Sequence, residues 1–321
     1  MAIMNEGEEV IVPAPYWVSY PHQVRLAGGK PVILEAREED GFRLRPEALK
    51  AAITPRTKAV IINSPSNPTG AAYSGEELEA LCAVAVEAGL VIVADEIYEK
   101  LVYDNFKFVS VASLDVPGIK EHTILINGVS KSHAMTGWRL GYAAGPKDVI
   151  AAMNKVQSHS TSNASSISQM AAIEALRGPQ DEVARMVVEF EKRRNFLVGA
   201  MMRLPGVKLV KPQGAFYVFP NCSAYYGKAA GGGRGATGGA GGGAGGAGSG
   251  SGGACGGGAG AGTTITHSAT LAEYLMDAAH VAVVPGGAFG NDRCIRLSYA
   301  TSMEKLEAAV ERITEALAKL R

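Results

Sequence analysis

Three stretches, KAVIINSP (residues 58–65), LVIVADE (90–96) and HTILING (122–128), are nearly continuous apolar runs, rich in β-branched residues, that each stop at polar residues. A strand with one face in water alternates apolar and polar residues, because successive side chains point to opposite sides. These runs do not alternate, so both of their faces must be covered, and a parallel sheet clothed in helices does this. Between the first two lies SGEELEALCAVAVEAG (74–89), in which Ser74 and Glu77 form a capping-box pair and Gly89 supplies the stop. Strand, helix, strand in that order predicts a crossover unit. With EEVIVPAP, KPVILEA and RLGYAAGP as further strands, the predicted fold class is α/β with a mostly parallel, helix-covered sheet.

Beyond this sheet, KDVIAAMNKV, SISQMAAIEALRG and DEVARMVVEFEKRRNFLVGAMMRL read as helices, the last long enough to bridge two units. The short runs VKLVKP, GAFYVFP, LAEYLMDAAHVAVVPG and CIRLSYA predict a smaller C-terminal α+β unit. It closes with the amphipathic SMEKLEAAVERITEALAKL, for which Thr301 and Glu304 are the expected capping pair. The predicted division is residues 1–198 for the larger unit and 199–321 for the smaller. Residues 229–262 hold half of the chain's 40 glycines. Such a segment cannot bury enough surface to offset its ordering entropy, so it is expected to be a flexible, removable insertion with ends roughly 30 Å apart if unconstrained. No strand feeds it, no helix opens from it and no Lys-Ser/Thr follows, which argues against a phosphate-cradling loop.

Charge narrows the partners. Lys+Arg and Asp+Glu balance at 31 each, so no general positive field exists to hold nucleic acid or an anionic membrane. No apolar run approaches the length of a bilayer span, and MAIMNEGEEV lacks the basic-then-apolar pattern of a secretion signal, so the expected location is the cytoplasm. Cys82, Cys222, Cys255 and Cys294 show no CxxC spacing, which argues against a zinc site or a disulfide framework, and no metal is expected.

Reactive side chains gather where the apolar runs end. NSPSNPTG (63–70) presents Asn67 on a turn, ADEIYEKLVYD (94–104) places Asp95 at a strand end with Tyr98 three residues on, and GVSKSHAMTGWR carries Ser130, Lys131 and Arg139. Any one of these has an ordinary structural explanation as a cap, a turn former or a solvated strand end. Amide, acid, phenol, amine and guanidinium on successive strand ends instead define a site, at the carboxyl edge where ligands of such sheets bind.

Taken in order, PAPYWVSYP, NSPSNPTG, VADEIYEKLVYD, INGVSKSHAMTGWRLGY, PQGAFYVFP, VAVVPGGAFG and IRLSYATS resemble the fold-type I, pyridoxal-phosphate-dependent aminotransferases of class I. Within these the likeness is to the bacterial aspartate aminotransferase subgroup, and it covers nearly the whole chain except the glycine tract. The resemblance implies a homodimer that carries pyridoxal 5'-phosphate. It also implies exchange of an amino group between an L-amino acid, aspartate foremost, and a 2-oxo acid, 2-oxoglutarate. Lys131 is then the catalytic residue, an amine suited to forming a Schiff base with the cofactor and, once freed by substrate, to moving a proton at Cα. Asp95 would pair with the pyridine nitrogen, Tyr98 and Asn67 would donate to the cofactor's phenolic oxygen, and Arg139 would fork onto the phosphate with Ser130 nearby. Trp17 would stack on the ring and Arg296 would grip the substrate carboxylate, with Trp17 and Asn67 belonging to the substrate site as well. His133 and His159 match no catalytic position of the family and are read as structural.

The chain departs from that family in two places. Family members carry a further N-terminal portion ahead of the strand matching EEVIVPAP, which includes a phosphate-binding turn and residues reaching a neighbouring subunit. Its lack here predicts exposed apolar surface and slow turnover, with an aminotransferase domain of little or no activity as one alternative and a prephenate or aromatic aminotransferase as another. The glycine tract is the second departure.

Overall fold

The computed structural model describes residues 1–230 and 264–321. Strand β1 (Glu9–Ala14) is followed by α1 (Ser19–Leu26), β2 (Lys30–Glu35), α2 (Pro46–Ala52), β3 (Thr57–Asn63), α3 (Gly75–Glu87) and β4 (Val91–Asp95). Next come the short α4 (Ile119–His122), β5 (Thr123–Gly128), the one-turn α5 (Val129–Ser132) and β6 (Gly141–Ala144). Helices α6 (Lys147–Ser160), α7 (Ser166–Arg177) and α8 (Asp181–Met202) run in succession. The chain then closes with β7 (Tyr217–Val218), α9 (Ser268–Ala279), β8 (Val284–Pro285), β9 (Ile295–Ser298) and α10 (Met303–Ala318).

The larger sheet has the order β2-β1-β3-β4-β5-β6, parallel except for β6, which pairs antiparallel with β5. Alternate residues of its strands go to opposite faces, and both faces are filled. Ile11, Val60, Ile62 and Ile92 pack against Leu78, Leu81 and Ala85 of α3. On the other side, Val10, Val12, Ala59 and Ile61 meet Tyr20 and Val24 of α1. This two-sided burial is the physical cause of the unbroken apolar runs. The strand order reverses direction between β1 and β3, and a crevice at the carboxyl ends is the geometric result.

The second sheet, β7-β9-β8, is antiparallel and packs with α9, α10 and the C-terminal half of α8 into one core. Helix α8 has 22 residues, about 33 Å, and runs through residue 198, where the boundary between the two units was expected. The stretch VKLVKP forms no strand beyond an isolated bridge between Lys208 and Asn221. Two capping expectations came out differently. Ser74 and Glu77 make both bonds of a capping box. Thr301, however, lies outside α10: the helix begins one residue later, where Ser302 has the extended backbone of a cap and its hydroxyl accepts from Lys305 N.

Residues 231–262 of the glycine tract lie outside the described residues, as does Cys255. The flanks of the tract are constrained. Ala229 is the bridge partner of Thr264, and Ala229 and Arg321 exchange backbone hydrogen bonds of 3.0 Å. The other three cysteines are buried free thiols. Among the described residues no helix is long and apolar enough to cross a membrane, and no group of His, Cys, Asp and Glu could hold a metal ion. Apolar surface is exposed at Trp138, Tyr142 and Val156 and, once per turn, at Ile167, Met170, Ile173 and Leu176 of α7.

One buried charge ties α8 to two other segments of the chain. Arg194 of α8 is fully buried, and its guanidinium donates to both oxygens of Asp104 (2.8 and 2.9 Å), to Pro212 O (2.8 Å) and to Glu191 (3.3 Å). It thereby fastens α8 to the segment after β4 and to the segment before β7, while Lys211 adds a second cation 2.9 Å from Asp104. Arg194, and then Lys211, hold the Asp104 carboxyl well below the usual carboxylate range. Asp104→Asn leaves the buried guanidinium without its bidentate partner and is expected to cost roughly 2–3 kcal/mol, less than for a wholly buried pair because Asp104 is half exposed. A carboxyl depressed in the native state contributes stability that is complete above about pH 4 and fades as pH falls toward the depressed value. Urea unfolding from pH 7 to pH 3 should therefore show the gap between wild type and Asp104→Asn narrowing; a constant gap would rule the linkage out.

Candidate active site

The carboxyl ends of β3, β4 and β5, with the segment after β1, open onto one cleft of about 700 Å³. Trp17, Asn67, Asp95, Tyr98, Ser130, Lys131, Arg139 and Arg296 all line it, although the first and the last are 279 positions apart. Their placement follows from strand ends. Asp95 is the last residue of β4 and Asn63 the last of β3, paired side by side in the sheet. The Asn63 side chain donates to Asp95 O (3.0 Å) and accepts from Asn67 N (2.9 Å), so one amide holds the acid-bearing strand and the Asn67 turn in register. That turn closes tightly against the segment before β7. Gln213 N and Gly214 N both donate to Gly70 O, and a Cβ on Gly70 would lie 2.7 Å from Gly214 O.

Asp95 accepts from the Tyr20 hydroxyl (2.5 Å) and from Ile97 N (3.2 Å). Burial raises its pKa, and those two donors together with Lys131 oppose the rise. Lys131 is on α5, three residues past the end of β5, where the sequence suggested a position directly after a strand; its Nζ stands 5.7 Å from the centre of the Phe216 ring. Burial lowers its pKa, and the positive charges of Arg139 and Arg296 lower it further, so the neutral amine is favoured more than in an ordinary lysine. Arg139 is exposed, takes a left-handed backbone (φ 53°) and donates to Thr136 O (2.9 Å). Trp17 stands edge-on to Tyr20, with ring centres 5.3 Å apart.

Arg296 comes from the middle of β9 and reaches back to the larger sheet, donating from Nη1 to Asn67 Oδ1 (2.8 Å). Its guanidinium lies over the rings of Tyr217 (4.5 Å) and Phe289 (4.8 Å), and its Nε is buried without a hydrogen-bond partner. Because Asn67 Oδ1 is engaged, the Asn67 amide hydrogens are the part of that side chain left for a ligand. Tyr98 is buried, with its hydroxyl 3.1 Å from that of Tyr217. Two arginines, a lysine and one carboxylate thus share a cleft, a balance that fits a ligand bearing anionic groups.

The structure brings every sequence-predicted site residue into this cleft and adds Tyr20, Asn63 and Tyr217. His133 bonds instead to Ser132 (2.8 Å) and Gln180 (3.3 Å), and neither His133 nor His159 lines the cleft. Asn63 occupies the same strand-end position that singled out Asp95, so that signal was available. For Tyr20 and Tyr217 there was none, because an aromatic next to an apolar run reads first as core.

A mostly parallel sheet whose carboxyl edge gathers a lysine inclined toward its neutral form, a half-buried acid and two arginines is a site suited to amine chemistry. Residues 1–313 match the family described as aminotransferase class I and II. An aspartate aminotransferase of Geobacillus stearothermophilus is 51% identical over 314 residues, which are 97% of this chain and 70% of that protein. An aspartate/prephenate aminotransferase of Cereibacter sphaeroides is 47% identical, over 98% of this chain and 71% of its own length. The crystal structure of the aspartate aminotransferase from Rhizobium meliloti superposes with a TM-score of 0.88 at 42% identity, covering all of this chain and 73% of that one. The chain belongs to the class I and II aminotransferases, and it is an enzyme of that family.

Next to Asp95, Glu96 turns away from the cleft into the core, 3% exposed, and accepts from Val111 N (2.8 Å) and Ser110 Oγ (3.1 Å). Burial pushes its pKa up to about 7. An acid raised in the native state contributes most where it is protonated, so its share of stability is complete below about pH 4 and declines as pH rises to about 7. Glu96→Gln should abolish that decline, which amounts to up to roughly 3 kcal/mol. Chemical unfolding of both proteins at pH 5 and pH 8 checks it, and equal pH dependence in the two would contradict the assignment.

Proposed function

We propose that this aminotransferase takes the amino group of a dicarboxylic L-amino acid, aspartate foremost, and passes it to 2-oxoglutarate, with pyridoxal 5'-phosphate as the carrier. The observation that carries the reading is the amine of Lys131 in one cleft with a half-buried strand-end acid and an arginine over aromatic rings. When bound, pyridoxal phosphate supplies an electron sink for the carbanion at the substrate's Cα. Asp95, steadied by Tyr20, would hold a proton on the ring nitrogen. Tyr98 and the Asn67 amide would donate to the phenolic oxygen, Arg139 and Ser130 would take the phosphate, and Trp17 would cover the ring. Arg296, whose stacking leaves donors uncommitted, would grip the α-carboxylate and so fix the Cα–H bond relative to Lys131. The Lys131 amine would then collect and return the proton at Cα, a task suited to an amine inclined to be neutral.

In this reading residues 1–198 form the cofactor-binding unit and 199–321 the unit that brings Arg296. The exposed apolar residues of α7, with Trp138 and Tyr142, support a homodimer. The Cereibacter relative's name favours prephenate as a second amino acceptor.

Borohydride reduction of the protein saturated with pyridoxal phosphate, followed by peptide mapping, should recover the cofactor on Lys131. Lys131→Ala should lose the visible absorbance while keeping its far-ultraviolet circular dichroism. Recovery on another lysine would refute the assignment. Addition of aspartate, glutamate or an aromatic amino acid to the coloured protein should bleach the visible band fastest for aspartate.

A further inference from the structure

We propose that Tyr217 is a positioning residue that aims the Tyr98 hydroxyl into the cleft and links it to the arginine that grips the substrate carboxylate. The inference rests on the function proposed above and concerns a residue to which that function assigned no part. Tyr217 is on β7, opposite Ser298 of β9, two residues along the strand from Arg296. Its ring is 7% exposed and is fixed on three sides: edge-on to Tyr98 (6.0 Å, 81°), against Phe216 (4.7 Å) and under the Arg296 guanidinium (4.5 Å).

The hydroxyls of Tyr98 and Tyr217, 3.1 Å apart, share one hydrogen bond, and either could be the donor. The choice matters. If Tyr98 donates to Tyr217, its only proton is spent away from the cleft; if Tyr217 donates, the Tyr98 proton is free to point at a ligand. A cation over a phenol ring withdraws electron density and makes its O–H the better donor, and Arg296 lies over Tyr217. The geometry therefore makes Tyr217 the donor and Tyr98 the group that donates into the cleft. The bond also polarises Tyr98, since a hydroxyl that accepts a hydrogen bond donates more strongly. Three ionisable groups face Tyr98: Tyr217, Asp95 and Arg296. Only Tyr217 bonds to both Tyr98 and, through its ring, Arg296.

The test uses the protein loaded with pyridoxal phosphate and two variants. Tyr217→Phe keeps the ring under Arg296 and removes the donated proton. Weaker donation from Tyr98 leaves the cofactor's phenolate less stabilised, so the pH midpoint of the visible absorbance should rise by about one unit. Affinity for maleate, an unreactive dicarboxylate, should stay within about threefold, because the stacked ring remains. Tyr217→Leu removes the ring as well and should add a loss of maleate affinity of about tenfold. In a Tyr98→Phe background, Tyr217→Phe should no longer move the midpoint. A Tyr217→Phe midpoint equal to wild type, or the same shift without Tyr98, overturns the proposal, whereas a merely structural role would lower thermal stability and leave the midpoint in place. A wild-type protein with no titrating visible band would overturn the functional reading itself, and this inference with it.

Discussion

Helices covering both faces of the six-stranded sheet leave its polar chemistry one outlet, the ends of the strands. Interior positions of β1, β3 and β4 are committed to apolar packing, and a charge placed there would lose its hydration without finding a partner. Asn63 and Asp95 escape this because they are the last residues of their strands, side by side in register. The reversal of strand order between β1 and β3 opens the crevice beside them, so the site falls where topology and solvation both allow it.

What the larger sheet does not supply is a cation deep in the cleft and facing the turn after β3. That comes from the smaller sheet, whose β9 projects Arg296 onto Asn67. The reach depends on the segment before β7 lying close to the turn after β3, which the small size of Gly70 and Gly214 permits. It also depends on Arg194, which pins α8 to that segment and to Asp104. The same burial then moves the pKa values of Asp95 and Lys131 in opposite directions. The acid is pushed toward its neutral form, the amine likewise, and each partly restores the other's charge. Such mutual adjustment is common where proton transfer is the task.

Much of this was legible before any coordinates. The strands of the larger sheet, the capping box at Ser74 and the gathering of Asn67, Asp95, Tyr98, Lys131 and Arg139 at strand ends follow from local pattern. Less was legible where a local rule had two solutions. TSME offers two hydroxyl residues as a cap, and the start of α10 selects Ser302 over Thr301. Lys131 was expected at a strand end, but β5 stops at Gly128 and a single helical turn carries the lysine. The flanks of the glycine tract could not be known to pair, because the Ala229–Thr264 bridge and the backbone bonds between Ala229 and Arg321 join residues far apart in the chain.

By itself the sequence determined the two-sided sheet, since unbroken apolar runs can be buried only that way, and it determined which reactive groups stand at its edge. The family resemblance of IRLSYATS pointed Arg296 to the same site, and the structure puts it in the cleft. Only the tertiary structure decided how those groups are held: Tyr20 on Asp95, Asn63 between Asp95 and Asn67, Tyr217 between Tyr98 and Arg296. The reason is distance along the chain. Periodicity and capping act over a few residues, whereas these contacts to Asp95, to Tyr98 and to Arg296 join residues from 32 to 119 positions apart, and an aromatic or amide shows whether it is core or scaffold only when its partner arrives.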